Sequence, residues 1–209
     1  MAPSTALLSM GATLDRVDAA SHQPTERALV ARAVTDPDAF GELYRRYVGR
    51  IHDYAYRRTG SVEAAEDICA ATFESALATL GGFRWRDGER GGFAPWLFRI
   101  ASRQTITYYR RESRLSSERG QRAAASLAPT HTPGADDTVG LDANLNELRT
   151  ALDGLNERYQ RAISLRYLSD LDVAEAAAAM GLTRPAFSVV LTRATAALRR
   201  QLEKGVVHG

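Results

Sequence analysis

Apolar residues along this chain recur every three to four positions, which is the period of a helix that buries one face. Runs in which apolar and polar residues alternate, as in half-buried strands, are nearly missing. The helical pattern begins near Thr25, whereas residues 1–24, rich in Ala, Ser and Pro, show weak periodicity and are interpreted as a loosely ordered extension. The sequence therefore predicts an all-α protein.

The first helical block, residues 25–115, carries three long amphipathic segments. Asp36 and Pro37 have the residue types of an N-cap and a first-turn proline, and they precede a buried stripe of Phe40, Leu43, Tyr44, Tyr47, Ile51 and Tyr54. Gly60 ends that helix and Ser61 caps the next, which is predicted to run from about Val62 to Leu80. A glycine-rich loop, residues 81–92, leads to a third helix predicted from Pro95 to about Arg114.

Residues 116–142 separate this block from a second one. They have no helical periodicity and are rich in Ser, Ala, Gly, Pro and Asp. Such a composition buries little apolar surface and indicates a linker. Periodicity returns over residues 143–204, in four shorter helical segments. The predicted architecture is two small helical domains joined by a flexible linker.

The last two segments have the pattern of a helix-turn-helix. Asp172 can cap a helix that ends at Met180, Gly181 stands at the turn, and Thr183 can cap a second helix with Pro185 in its first turn. The apolar residues of that helix share one side, which leaves a polar outer face suited to a DNA major groove: Arg184, Ser188, Val189, Thr192, Arg193, Arg199 and Arg200. A helical hairpin with a solvated basic face is the open alternative.

A second basic surface is predicted on the helix that begins at Pro95. At roughly 100° per residue, its arginines gather on one side, away from the apolar residues: Arg99, Arg103, Arg110 and Arg114. Trp96 lies beside this arginine ridge, and the preceding loop holds Arg84, Trp85, Arg86 and Arg90. Arginine contacts phosphates and aromatic rings stack on unpaired bases, so the set suits melted DNA. Equally open is that Trp96 is core and the arginines are solvated.

Composition narrows the function classes. The net charge of +2 is only mildly basic, so the distribution of charge, not its total, carries the nucleic-acid argument. The single cysteine, Cys69, excludes a disulfide framework and a CxxC metal site, the four histidines are scattered, and no glycine-rich phosphate loop follows a strand. We therefore expect no catalytic residue, metal, cofactor or small-molecule substrate. With no apolar run of membrane-spanning length and no secretory signal, we expect a cytoplasmic protein without membrane insertion.

Several ordered motifs on both sides of the linker resemble one family. They are the stretch Phe40–Tyr47 (FGELYRRY), Ala65–Asp67 (AED) with Thr72-Phe73, Pro95–Ala101 (PWLFRIA) followed by Arg110-Arg111, Leu165–Tyr167 (LRY), and Arg193-Ala194. Over about Thr25 to Leu202 the chain resembles a bacterial RNA polymerase sigma factor of the extracytoplasmic-function (ECF) group in the sigma-70 superfamily.

The resemblance implies a transcription initiation factor. The first domain, like region 2 of the family, would bind core RNA polymerase and open the −10 element of promoter DNA, and the second, like region 4, would read the −35 element. It implies polymerase contacts at Glu66, Asp67, Thr72 and Phe73. It implies −10 contacts at Arg84, Trp85, Arg86, Trp96, Arg99, Arg103, Arg110 and Arg111, and −35 contacts at Arg184, Ser188, Val189, Thr192 and Arg193. An anti-sigma factor is the implied regulatory partner.

Some positions depart from the family pattern. Ala70-Ala71 stand where Gln-Glu is frequent, Thr107 where Asp is, Asn156 where Pro is, and Ser188 where Lys is. Two other functions therefore stay open. One is a stand-alone helix-turn-helix DNA-binding regulator without polymerase docking, and the other is an inhibitor that sequesters a partner through its helices.

Overall fold

The computed structural model describes residues 25–85, 92–126 and 141–206. Within these ranges the regular structure is helical, which confirms the predicted all-α class. The elements are α1 (Glu26–Ala33), α2 (Pro37–Thr59), α3 (Val62–Thr79), a 3₁₀ turn (Leu80–Gly82), α4 (Phe93–Ser126), α5 (Leu141–Asp153), α6 (Glu157–Tyr167), α7 (Val173–Met180) and α8 (Arg184–Val206). Among these described helices, none is both long and apolar enough to cross a membrane.

The first helix boundaries follow from the predicted caps. The Asp36 carboxylate accepts hydrogen bonds from the backbone N–H groups of Asp38 and Ala39, at 3.0 and 3.4 Å. Gly60 ends α2 with φ at 74°, a left-handed conformation that favours glycine. Ser61 then accepts from the N–H of Ala64 at 3.2 Å and starts α3. The predicted turn between α2 and α3 is confirmed.

Helices α1 to α4 enclose the core of the first domain. Leu43 and Ile51 of α2 and Leu97 of α4 are fully buried. The Tyr54 and Phe98 rings meet edge to face with their centroids 5.6 Å apart. The stripe predicted for α2 is confirmed in the main, although Tyr44 is exposed.

Helix α4 differs from the prediction at both ends. It starts at Phe93, before Pro95, because a proline in the first helical turn removes no intrahelical hydrogen bond. It continues to Ser126, well beyond Arg114, because Glu, Arg, Gln and Ala are strong helix formers and helix propensity does not depend on an apolar stripe. Both ends of the predicted linker are therefore helical, since α5 begins at Leu141. The middle of the linker, residues 127–140, and the predicted extension, residues 1–24, lie outside the described residues.

Helices α5 to α8 form the four-helix second domain. Leu152, Leu155, Ile163 and Ala194 make one small core, against which Leu148 and Leu198 pack. A larger apolar cluster is continuous from the first domain into α6, α7 and α8, and it includes Phe98 on α4 and Phe187 on α8. The two domains therefore share a core in this structure, an arrangement that the sequence pattern did not predict.

Candidate nucleic-acid and polymerase interfaces

The helix-turn-helix has the local geometry that its sequence predicts. The Asp172 carboxylate accepts from the Glu175 N–H at 2.8 Å, and the Glu175 carboxylate accepts from the Asp172 N–H at 2.9 Å, so both groups close a capping box. Gly181 ends α7 with φ at 71°. Thr183 accepts from the Ala186 N–H at 3.4 Å, at the start of α8. These contacts fix the angle at which α8 leaves the turn.

Helix α8 presents the predicted polar face to solvent. Phe187, Val190 and Ala194 are buried on the inner side. All five predicted −35 contacts are exposed: Arg184, Ser188, Val189, Thr192 and Arg193. The Thr192 hydroxyl donates to the Ser188 carbonyl at 3.0 Å, which leaves its oxygen able to accept a further hydrogen bond. The outer face therefore combines guanidinium donors, hydroxyls and the Val189 side chain, which is 52% exposed.

An aromatic cluster lies where the 3₁₀ turn meets α4. The Phe83 ring is its centre, with centroid distances of 5.9 Å to Trp85, 5.2 Å to Trp96 and 6.1 Å to Phe93. Trp85 and Trp96 are half-buried, so each ring both packs inward and offers a surface to solvent. The two interpretations of Trp96, as a core residue and as a ring that stacks on a base, are therefore compatible.

Of the arginines in the preceding loop, the structure describes Arg84. Arg84 is exposed, and its Nη1 donates to the carbonyls of Gly81 and Phe83, both at 2.9 Å. The predicted contact Arg86 and its neighbour Arg90 lie outside the described residues.

The arginine ridge of α4 faces the second domain. Arg99 donates from Nε to the Ala179 carbonyl at 2.9 Å and from Nη2 to the Ala178 carbonyl at 2.6 Å. Arg110 donates from Nε to the Glu157 carboxylate at 2.7 Å. The ridge that sequence reasoning assigned to DNA is therefore already engaged by α6 and α7.

A cavity of about 630 Å³ lies between the domains beside this ridge. Four arginines line it: Arg103, Arg110, Arg158 and Arg161. Burial, with the nearby charges of Arg103 and Arg99, lowers the pKa of Arg161, whose Nε donates to the Ser102 hydroxyl at 3.3 Å. The cavity is therefore a strongly electropositive space, with Glu157 as the carboxylate in its lining.

Arg58 is a polar residue of this interface that sequence reasoning missed. It is 2% exposed, and its guanidinium lies 4.2 Å from the centroid of the Tyr109 ring. It donates to the Tyr109 hydroxyl at 2.8 Å, to Asp153 at 2.5 Å and to Gln160 at 3.2 Å. Its position in the sequence indicates burial, because Arg58 continues the buried stripe of Ile51 and Tyr54 at helical spacing.

Helix α3 carries the predicted polymerase contacts on two different sides. Glu66 and Asp67 are exposed, and both are available to a partner. Thr72 is fully buried, with its hydroxyl donating to the Ile68 carbonyl at 2.6 Å. Phe73 is also buried, and its ring meets Tyr44 at 4.7 Å. In this conformation both side chains are buried, Thr72 bonded within α3 and Phe73 packed against α2, so neither presents a surface to a partner.

Arg111 belongs to this side of the domain and not to the arginine ridge. It lines a second cavity, of about 340 Å³, between α3 and α4. The lining includes Asp67, Glu74, Ala70 and Ala71. Arg111 is therefore placed with the predicted polymerase face, since it lies about 100° around α4 from Arg110.

Two family models match the chain on either side of the predicted linker. Sigma-70 region 2 matches residues 43–115, and Sigma-70, region 4 matches residues 145–198, so together they match more than half of the chain. The ECF RNA polymerase sigma factor BldN of Streptomyces coelicolor is 32% identical over 83% of this chain. The chain belongs to the ECF group of the sigma-70 family. It is an RNA polymerase sigma factor, which directs polymerase to promoters.

Other relatives support the same family. The alignment spans 64% of the length of BldN. The RNA polymerase sigma factor YlaC of Bacillus subtilis is 28% identical over 80% of this sigma factor and 94% of its own length. ECF RNA polymerase sigma factor SigW, also of Bacillus subtilis, is 26% identical over 80% of this sigma factor and 90% of its own length.

Solved structures share the fold. CnrH, in complex with the cytosolic domain of CnrY, superposes with a TM-score of 0.57 at 25% identity, over 87% of this sigma factor and 99% of CnrH. The sigma factor RpoE in complex with the anti-sigma factor NepR, from Bartonella quintana, superposes with a TM-score of 0.51 at 21% identity. The match covers 78% of this sigma factor and 96% of RpoE. The second likeness concerns the fold alone.

One departure from the family pattern has a structural explanation. The Asn156 side chain accepts from the Tyr159 N–H at 3.0 Å and caps α6, so a strong capping residue stands where proline is frequent. Thr107 is exposed on α4 between the two cavities. Ala70 is exposed and Ala71 half-buried beside Asp67, so this side of α3 is smoother and less polar than in the family pattern.

Proposed function

We propose that this sigma factor recognises a two-part promoter, with α8 reading the −35 element and the aromatic cluster and arginine ridge holding the melted −10 element. The observation that carries the proposal is the outer face of α8. It exposes Arg184, Ser188, Val189, Thr192 and Arg193 together, while the opposite face is fixed in the core. A rigid helix with such a face can enter a major groove and contact base edges and phosphates.

The −10 assignment is supported by chemistry in the first domain. Trp85 and Trp96 offer partly exposed rings beside Arg84, and Arg99, Arg103 and Arg110 follow along α4. Rings stack on unpaired bases of any identity, while guanidinium groups follow the phosphate backbone. This combination favours a separated strand over a duplex.

Polymerase docking is proposed at the exposed part of α3. Glu66 and Asp67 project from the helix, and Arg111 lies across the adjoining 340 Å³ cavity. We assign Thr72 and Phe73 to the packing of this surface. The region 2-like domain is proposed to end near residue 115, and the region 4-like domain to occupy residues 143–204.

Regulation by an anti-sigma factor is part of the proposal. CnrH and RpoE were each solved with a bound partner, the cytosolic domain of CnrY and the anti-sigma factor NepR. We propose that this sigma factor acts in the cytoplasm, contributes binding energy without catalysis of its own, and is held inactive by a protein of that kind.

Transcription with purified components tests the proposal. Core polymerase plus this sigma factor should give transcripts from discrete start sites on genomic DNA, mapped by sequencing their 5′ ends. Arg193→Ala should weaken promoter binding, whereas Arg103→Ala should leave duplex binding intact and reduce permanganate-detected strand opening. Arg45→Ala, an exposed arginine paired with Glu42 on α2, is the matched control and should change neither. Transcripts absent from every template would overturn the proposal.

The stand-alone regulator that the sequence left open is set aside, because both sigma-70 regions and several RNA polymerase sigma factors match this chain. A regulator of that kind would bind duplex DNA without polymerase and would form no stable polymerase complex. Gel filtration with core polymerase checks this point.

A further inference from the structure

The 630 Å³ cavity collects positive charge from two helices. Arg103 and Arg110 extend into its lining from α4, and Arg158 and Arg161 from α6. The lining contains one carboxylate, that of Glu157, so four guanidinium groups and one carboxylate leave an excess of three positive charges. A concave surface lined by charges of one sign attracts and concentrates small ions of the other sign.

The protein itself balances little of this charge. Arg110 bonds the Glu157 carboxylate. Within the part of the chain that the structure describes, no carboxylate forms an ion pair with Arg103, Arg158 or Arg161. Three guanidinium groups are therefore gathered around one space without a carboxylate partner among the described residues.

Arg161 shows that this arrangement is costly. It is half-buried, and its Nε donates to the Ser102 hydroxyl at 3.3 Å, which is a neutral acceptor. Burial, together with the charges of Arg103 and Arg99, lowers the pKa of the Arg161 guanidinium. Desolvation and like charges both disfavour the cationic form, and a neighbouring anion favours it. An anion bound among these arginines would therefore stabilise the folded protein.

The start of α6 adds to the positive potential. Glu157 and Arg158 are the first two residues of this helix, and both line the cavity. The peptide dipoles of a helix give its N-terminal end a partial positive charge, which favours phosphate groups.

The size and lining of the cavity favour a short phosphate chain. Its volume falls within the range of about 300 to 1,000 Å³ that is typical of small-molecule sites. A guanidinium group offers two parallel N–H donors that match two oxygens of one phosphate, so arginines on two helices can bind several linked phosphates. Ile106, Met180 and Leu182 supply an apolar part of the lining, against which a flat ring can pack.

We propose that this cavity is a binding site for a small oligophosphate, whose oxygens bond Arg103 and Arg110 of α4 and Arg158 and Arg161 of α6. The oligophosphate is either an inorganic chain or the phosphate tail of a nucleotide with its base on the apolar part of the lining. This site goes beyond the proposed promoter recognition and does not depend on it. Two of its arginines, Arg103 and Arg110, also belong to the arginine ridge, so the ligand and a melted DNA strand would compete for them.

Isothermal titration calorimetry of the full chain with inorganic tripolyphosphate tests the site, in phosphate-free and magnesium-free buffer. We expect saturable binding of one tripolyphosphate per chain and no comparable binding of sulfate at the same ionic strength. Arg103→Gln combined with Arg158→Gln removes one guanidinium from each helix and should weaken the affinity at least about tenfold. Arg45→Gln with Arg57→Gln is the matched control, because it removes the same charge from exposed sites on α2. At about 0.15 M salt these distant charges are screened, so the control should change the affinity less than about twofold.

A gain of affinity is a result that misfolding cannot imitate. Glu157→Gln removes the carboxylate from the lining and leaves Arg110 available to phosphate, so tripolyphosphate should bind at least about threefold more tightly. Glu147→Gln, at an exposed site on α5, is its control and should bind as the wild type does. Circular dichroism should show the same helicity for all of these variants.

ATP distinguishes the two sources of phosphate. Binding of ATP more tightly than tripolyphosphate, with the gain lost in Met180→Ser, would assign the site to a nucleotide, and equal or weaker binding would assign it to an inorganic chain. Absence of saturable tripolyphosphate binding at about 1 mM, or equal losses in the cavity variant and its control, would overturn the proposal. The titrations contain no DNA or polymerase, so a failed transcription assay would reject the proposed function and not this site.

Discussion

Arg58 and Asp153 form an ion pair across the two domains, with 2.5 Å between Nη2 and Oδ1, although 95 positions separate them in the chain. The environments of the two groups are unequal. Arg58 is 2% exposed under the Tyr109 ring, whereas the Asp153 side chain is 40% exposed. Removing the exposed partner therefore leaves a buried charge without its counter-ion, and removing the buried partner does not.

This asymmetry gives a stability prediction. Asp153→Ala should lower the apparent free energy of unfolding by about 2 kcal/mol, less than for a fully buried pair because solvent screens Asp153. Arg58→Met keeps the apolar volume and removes the buried charge, so its change should stay within about 1 kcal/mol. Urea unfolding followed by circular dichroism measures both, with the exposed Arg57→Met as control. A larger loss for Arg58→Met than for Asp153→Ala would contradict the assignment of the buried charge.

The predicted polymerase contacts on α3 should separate into two groups. Phe73→Ala empties a buried site beside Tyr44 and should destabilise the protein by about 3 kcal/mol. Glu66→Ala and Asp67→Ala remove exposed side chains, so they should leave the melting temperature nearly unchanged while weakening the complex with core polymerase. Thermal unfolding and a polymerase pull-down at a temperature where all variants are folded distinguish the groups. Equal losses of stability for Phe73→Ala and Glu66→Ala would contradict the structure.

Local signals in the sequence predicted most of the fold because they act over one or two helical turns. Asp36, Gly60, Ser61, Asp172 and Gly181 each stand where a helix begins or ends. The same reasoning stopped α4 too early, since helix propensity without an apolar stripe gives no periodic signal beyond Arg114. Apolar periodicity locates only the part of a helix that buries one face, so it cannot locate the end of a helix whose last turns lack an apolar stripe.

The candidate site was predictable where it faces solvent and not where it faces the other domain. The outer face of α8 follows from the helical period alone. The partners of Arg99 and Arg110 lie 47 to 80 residues away in the chain, on helices whose packing against α4 no local pattern encodes. The sequence indicates that Arg58 needs a buried partner, because it places a charge at a core position of α2. Nothing in the sequence identifies Asp153 as that partner.

The capping box of α7 should contribute measurably to the free energy of unfolding. Asp172→Ala removes the acceptor of the Glu175 N–H and should cost about 1 kcal/mol of stability. Asp172→Asn keeps an acceptor at the cap and should cost much less. Urea titration of both variants tests this. An Asp172→Asn variant as unstable as Asp172→Ala would show that charge, not capping, is the property that matters.

Cys69 should react slowly in the folded protein. It is 6% exposed, and burial raises the pKa of its thiol, so little thiolate is present near neutral pH. Because the folded pKa lies above the unfolded one, the folded state holds the proton to higher pH, and stability falls as pH rises above the ordinary thiol value. Labelling with an aromatic disulfide reagent at pH 8 should be slow in buffer and fast in denaturant, and Cys69→Ser should lose this part of the pH dependence. Fast labelling of the native protein would contradict the buried placement.

Ser188 gives the sharpest test of the α8 face. It is exposed beside Val189 and Thr192, and it stands where the family pattern often has lysine. Ser188→Lys places one more cation on this face, so binding of the holoenzyme to promoter duplex should tighten. The dependence of log affinity on log salt concentration should steepen by about one unit if the new charge meets a phosphate. The matched control is Thr150→Lys, an exposed position on α5 that gains the same charge away from α8. Fluorescence anisotropy at several salt concentrations measures both variants. If the control steepens the salt dependence as much as Ser188→Lys does, the effect is one of net charge, and the outer face of α8 is not the DNA-binding surface.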